Sequence, residues 1–119
     1  MFERALQIQA DAAKLGFDWP EPFGVLEKVR EETEEIREAL ARNDLAHAQK
    51  ELGDLLLVVS NLSRFLDITP DKALAAAVER FEKRFAAVQA VVAADRKDME
   101  AYSLEELEVI WQSVKGQYT

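Results

Sequence analysis

The chain has no cysteine, one histidine, four glycines and three prolines in 119 residues. Without cysteine there is no disulfide, no thiolate metal site and no cysteine nucleophile. A single histidine, His47, excludes a multi-histidine zinc site within one chain. Positive charge is also scarce. Lys and Arg number 15 against 23 Asp and Glu, for a net charge of -8. That balance argues against nucleic-acid binding through a general basic surface, but leaves room for a local basic pocket that takes a nucleotide. The aliphatic run Leu55 to Val59 is far too short to span a bilayer. The N-terminus has an acid at Glu3 and no long apolar region, so no secretory signal is read and a cytoplasmic location is expected. Few turn-forming residues, and many Ala, Leu, Glu and Arg, point to an all-α protein. With 49% apolar residues the chain can build a core, and its length predicts a single domain over 1–119.

The most informative stretch is Lys28 to Asp54. It carries Glu31, Glu32 and Glu35, then Glu51 and Asp54, with a break and restart at Asn43-Asp44. Glu32/Glu35 and Glu51/Asp54 are i,i+3 pairs, which a helix brings to neighbouring positions one turn apart. The pattern describes a helical hairpin whose arms each offer two acids at about the same height. Carboxylates crowded at one point resist ionisation unless a cation sits among them, which suggests a Mg2+ site. The alternative is a solvated acidic face.

Around the hairpin the spacing predicts helices over Phe2 to Leu15, Val25 to Arg42, Asp44 to Leu66, Thr69-Pro70 to Ala94, and Leu104 to Lys115. Gly16 to Gly24, with two prolines, is the one long break before the hairpin. In the second helix Leu26, Val29, Thr33, Ile36 and Leu40 form the stripe expected to be buried, with Glu32 beside it. The third helix is apolar on most sides and is expected to be central. It carries a polar stripe, His47, Glu51, Asp54 and Asn61, that needs partners. Gly53 inside it suggests close approach by a neighbouring backbone or ligand. His47 is read as a surface or capping residue or a substrate contact, and Asn61 as a core hydrogen-bonder or a ligand. Arg80 and Arg84, one turn apart, either chelate phosphate or form a flank paired with Glu79 and Glu82. Trp111 either packs or offers a platform to a base. Asp95 to Tyr102 is expected to be loose. Ser103 and Glu106 make a capping box.

Glu32-x-x-Glu35 followed by Glu51-x-x-Asp54 resembles the EExxE…ExxD signature of the MazG-type all-α NTP pyrophosphohydrolases. The segments GFDWP (16–20), GVLEKV (24–29), ELGDLLL (51–57), NLSRFL (61–66), RFEKRF (80–85) and VIWQSVK (109–115) resemble the C-terminal domain of MazG in order and spacing. The resemblance implies Mg2+-dependent hydrolysis of nucleoside triphosphates to monophosphate and pyrophosphate, with Mn2+ as a possible substitute. By position it implies that Glu32, Glu35, Glu51 and Asp54 hold the metal, that Lys28, Arg80 and Arg84 contact phosphates, and that Trp111 sits at the nucleotide end. Glu31 would orient or deprotonate water. It also implies a homodimer or dimer of dimers, which the apolar third helix favours, and a single MazG-like domain in place of a tandem. Lys50, His47, Arg80 and Val78 depart from the family pattern. A non-catalytic nucleotide sensor or a helical interaction module is the alternative.

Overall fold

A computed structural model describes residues 1–118 and contains five α-helices, one short 3-10 turn and, among the described residues, no strand. The helices are α1 (Phe2–Lys14), α2 (Pro22–Ala41), α3 (Leu45–Phe65), α4 (Pro70–Ala94) and α5 (Leu104–Lys115), with the 3-10 turn at Met99–Ala101. The chain divides into two compact units, Met1–Lys72 and the residues from Ala73 onward. No helix among the described residues is long and apolar enough to cross a membrane.

The helix boundaries follow from local chemistry. Pro22 opens α2, where its locked φ suits a first helical position and its missing N–H is not needed. The helix therefore starts three residues before the expected Val25. Asn43, at φ 56°, turns the chain out of α2. Asp44 then caps α3 by accepting from the His47 backbone N–H at 3.1 Å. Thr69 caps α4 through the Lys72 N–H at 3.2 Å, and the capping box at α5 is complete from both sides.

In the first unit α3 packs mainly against α2 and also against α1. The seam differs from the expected stripe. Val25, Glu32 and Ala39, spaced by seven, are the buried positions of α2, whereas Leu26, Thr33 and Leu40 are exposed. The buried positions of α3 are Ala48, Glu51, Ser60 and Ser63. Small side chains let the helix backbones approach closely, and Ser63 turns its hydroxyl back to the Ser60 carbonyl at 2.6 Å. The apolar side chains Leu52, Leu56 and Val59 stay exposed, so α3 is not enclosed within the first unit. Gly53 has open space where a Cβ would stand, so no neighbouring backbone approaches it among the described residues.

In the second unit Val88 and Val92 of α4 and Val114 of α5 are buried together, with Ile110, Trp111 and Tyr102 against them. The apolar residues Leu74, Val78 and Phe81 of α4 are exposed. The segment 95–102 is more ordered than expected. Tyr102 donates its hydroxyl to Asp95 at 2.8 Å, and the Lys97 ammonium lies 5.5 Å from the centre of the Tyr102 ring.

Candidate functional site

Glu32 and Glu35 from α2 and Glu51 from α3 each present a carboxylate oxygen within 4.8 Å of the others. The hairpin explains the meeting. Glu35 and Glu51 stand eight positions to either side of Asn43 (35 to 43, 43 to 51), so antiparallel packing brings them level. Glu32 and Glu51 are buried, while Glu35 is exposed at the mouth of the group. Asp54 lies one turn further along α3, exposed and outside the group.

Each buried acid is served on one oxygen only. Lys28 Nζ lies 3.4 Å from Glu32 Oε1 and 3.2 Å from Glu31 Oε2. His47 Nε2 lies 3.5 Å from Glu51 Oε1. The other two oxygens, Glu32 Oε2 and Glu51 Oε2, are buried with no hydrogen-bond partner. A buried carboxylate oxygen left without a donor is costly. The electrostatics agree. The Glu32 carboxylate, then Glu35, then burial push the Glu51 carboxyl up to about 7. Glu32 moves the other way, held below its usual value by its neighbour Glu51 and by Lys28, against the effect of burial. Two carboxylates at this distance settle on one proton between them. All-oxygen donors that lack a cationic or N–H partner on their inward side fit a hard divalent cation and would displace that proton on binding it.

Lys28 also lines a cavity of about 620 Å³ in the first unit, walled by Ile8, Phe17, Trp19, Leu57 and Val58. Its polar lining comes from Gln9, Asp18, Asn61 and Arg64. Asn61 thus faces a cavity and accepts from Arg64 at 2.6 Å. Arg64 grips Asp18 with two further hydrogen bonds, 3.2 and 3.3 Å, and so ties the 15–21 loop to α3. That clamp holds the Asp18 carboxyl below its usual value, Arg64 being the main cause. None of Gln9, Phe17, Asp18, Trp19 and Arg64 stands out as a site residue in the sequence. They come from three separate stretches and share no spacing, and only the loop signal of two prolines beside Trp19 points towards them.

Arg80, Arg84 and Trp111 belong to the second unit. Arg84 donates Nε–H to the Tyr118 carbonyl at 2.9 Å, and its guanidinium carbon lies 6.0 Å from the Trp111 ring centre. Phe81 packs on the same ring at 5.5 Å. Glu79 pairs with Lys83 at 3.0 Å instead of with either arginine.

Residues 22–89 match the family model described as the MazG nucleotide pyrophosphohydrolase domain. The chain is 39% identical over 112 residues to the nucleoside triphosphate pyrophosphohydrolase/pyrophosphatase MazG of Thermotoga maritima, covering 94% of this chain and 43% of that protein. It is 42% identical over 118 residues to the nucleoside triphosphate pyrophosphohydrolase of Escherichia coli K12, covering 96% of this chain and 44% of that protein. The chain thus spans less than half the length of these curated relatives.

Proposed function

Because the chain belongs to the MazG nucleotide pyrophosphohydrolase domain family, we propose that it hydrolyses a nucleoside or deoxynucleoside triphosphate to the monophosphate and pyrophosphate, using Mg2+ or Mn2+. The observation that carries this reading is the pair of buried, unpartnered oxygens on Glu32 and Glu51 beside Glu35. These three residues hold the cation, and Asp54 joins them by position in the signature. When bound, the cation neutralises phosphate charge and acidifies water. Water forms a bond to the α-phosphorus, the bond from that phosphorus to the bridging oxygen breaks, and the electron pair leaves with pyrophosphate. Glu31, exposed next to the ligands, takes the proton of the attacking water. Lys28, bridging Glu31 and Glu32, orients the first and keeps the second charged. His47 steadies Glu51 from the outer side. Phosphate contacts for Arg80 and Arg84 rest on the sequence resemblance alone, and so does a nucleotide contact for Trp111, which lies beyond the matched residues 22–89. The cellular task is housecleaning or control of nucleotide pools.

The working form is a homodimer or dimer of dimers. The exposed Leu52, Leu56 and Val59 of α3 support this, since a row of apolar side chains on a central helix calls for burial against a second copy.

The test is incubation with a panel of NTPs and dNTPs and Mg2+, with detection of pyrophosphate. Release from wild type and its loss in Glu51→Gln are expected. Binding without pyrophosphate would instead make the chain a sensor.

A further inference from the structure

The loop between α1 and α2 forms one side of the cavity. Its two ends are fixed. Phe17 closes α1 through its backbone N–H on the Ala12 carbonyl at 3.0 Å, and Pro22 opens α2. Between them, among the described residues, no backbone group of 18–20 hydrogen-bonds to a helix. The Trp19 N–H turns to the neighbouring Asp18 carboxylate at 2.8 Å, and Pro20 has no N–H to offer. A short segment without backbone bonds to its surroundings opens at low cost, and only its side chains hold it in place.

Two side chains supply that hold. Asp18 accepts from both terminal nitrogens of Arg64, at 3.2 and 3.3 Å, a two-point contact of fixed geometry. Asn61, one turn earlier on α3, accepts from the same guanidinium at 2.6 Å and fixes its direction. The Asp18 and Arg64 side chains keep 28% and 23% of their surface exposed, so the pair is not sealed from solvent and salt reaches it. Trp19 is the second hold. It is seated on bare backbone at Gly24, where a Cβ would stand 2.9 Å from the ring carbon Cε3. Asp18 and Trp19 line the cavity from the loop, and Asn61, Arg64 and Lys28 line it from the helices. Lys28 lies 3.4 Å from Glu32, so the loop stands beside the acid group.

Resting on the reading that this acid group hydrolyses a nucleoside triphosphate, we propose that residues 18–21 are a strap that opens and closes beside the site, and that Arg64 is the positioning residue that latches it through Asp18. Arg64 acts on the strap and not on the reacting phosphate. The closed strap lengthens the stay of bound substrate, and a weakened latch shortens it.

The experiment follows Trp19 by fluorine NMR of protein carrying fluorotryptophan, with Trp111→Phe used to assign the two indole signals. Wild type, Asp18→Asn, Arg64→Gln, their double variant and Gly24→Ala are compared at low and high salt. Each latch variant is expected to move the Trp19 signal towards its position in unfolded protein and to leave the Trp111 signal in place. The double variant should move it no further than either single one, as one shared contact requires. Gly24→Ala pushes the indole off its seat with Arg64 untouched, and should move the signal the same way. Added salt should loosen wild type and leave the double variant unchanged. In pyrophosphate release, KM for every triphosphate is expected to rise by about threefold or more in both latch variants while kcat does not fall. A Trp19 signal that stays put in both single variants overturns the proposal, as do additive effects in the double variant. A loss confined to Arg64→Gln, with Asp18→Asn behaving as wild type, makes Arg64 a substrate contact and also overturns it. Gly24→Ala and the salt series decide the matter if a latch variant does not fold. If wild type releases no pyrophosphate from any triphosphate, the hydrolase reading fails, and the Trp19 signal by itself still decides the strap.

Discussion

Under the proposed function most of the chemistry turns on Glu51. Its carboxyl is raised from 4.5 to about 7, so the folded protein holds a proton there that the unfolded chain gives up near pH 4.5. Between those values the native state binds more protons than the unfolded state, and stability falls as pH rises. Glu32 has the opposite sign, since its lowered value favours the fold above pH 4.5 and loses that contribution as pH drops. In the absence of metal, melting temperature is therefore expected to decline from about pH 5 to pH 7 through Glu51. Glu51→Gln should flatten that decline, and Mg2+ should raise the melting temperature most at the alkaline end; a flat profile in wild type would contradict it. The same substitution, or Glu32→Gln, is expected to cut turnover by about 100-fold or more in a pyrophosphate-release assay, because each removes charge from the cation site. Trp111 belongs to a different kind of position. Packed against Phe81 and the Val88–Val92–Val114 core, it should cost about 3 kcal/mol on truncation to Ala, read as a lower denaturant midpoint.

At the scale of the elements, the starts and stops of the helices were legible because caps are local. Asp44, Thr69 with Pro70, and Ser103 with Glu106 each act within three or four residues, and the sequence displays them directly, whereas Pro22 was read as part of the break and not as the start of α2. The left-handed residue Asn43 is a further local signal. Asn43→Gly should be nearly neutral there, whereas Asn43→Val, β-branched at positive φ, is expected to cost about 1–2 kcal/mol in chemical denaturation. What the sequence did not reveal is which face of α2 is covered. The Leu26–Leu40 stripe records side chains that benefit from burial, not the element that buries them. Within the chain the seam falls instead on Val25, Glu32 and Ala39. The acid group was visible for the opposite reason: two i,i+3 pairs on either side of one turn leave little freedom in where they meet. The cavity was not, because Gln9, Trp19 and Arg64 are brought together only by tertiary packing.

For the whole molecule, the exposed leucines of α3 predict association. Sedimentation at micromolar concentration is expected to give at least twice the chain mass, and Leu56→Glu should shift it towards one chain by placing a charge in the covered face; a single-chain mass for wild type would refute this. The hairpin turn has a consequence for how the sequence can drift. Glu35 and Glu51 lie eight residues from Asn43 on either arm, about 9 Å up each helix from its end at Ala41 or Leu45. The turn is thus a gauge whose reading depends on length and hardly on spelling. Substitutions at 42–44 cost up to about 2 kcal/mol but keep the register, whereas one inserted residue there rotates α3 by about 100° against α2 and carries Glu51 off the shared face. The same insertion at 96–98, in a turn that sets no such register, would leave the three carboxylates where they are. Indels and substitutions should therefore leave opposite scars at this turn, a distinction that a deep insertion scan read by Mg2+-dependent stabilisation would expose.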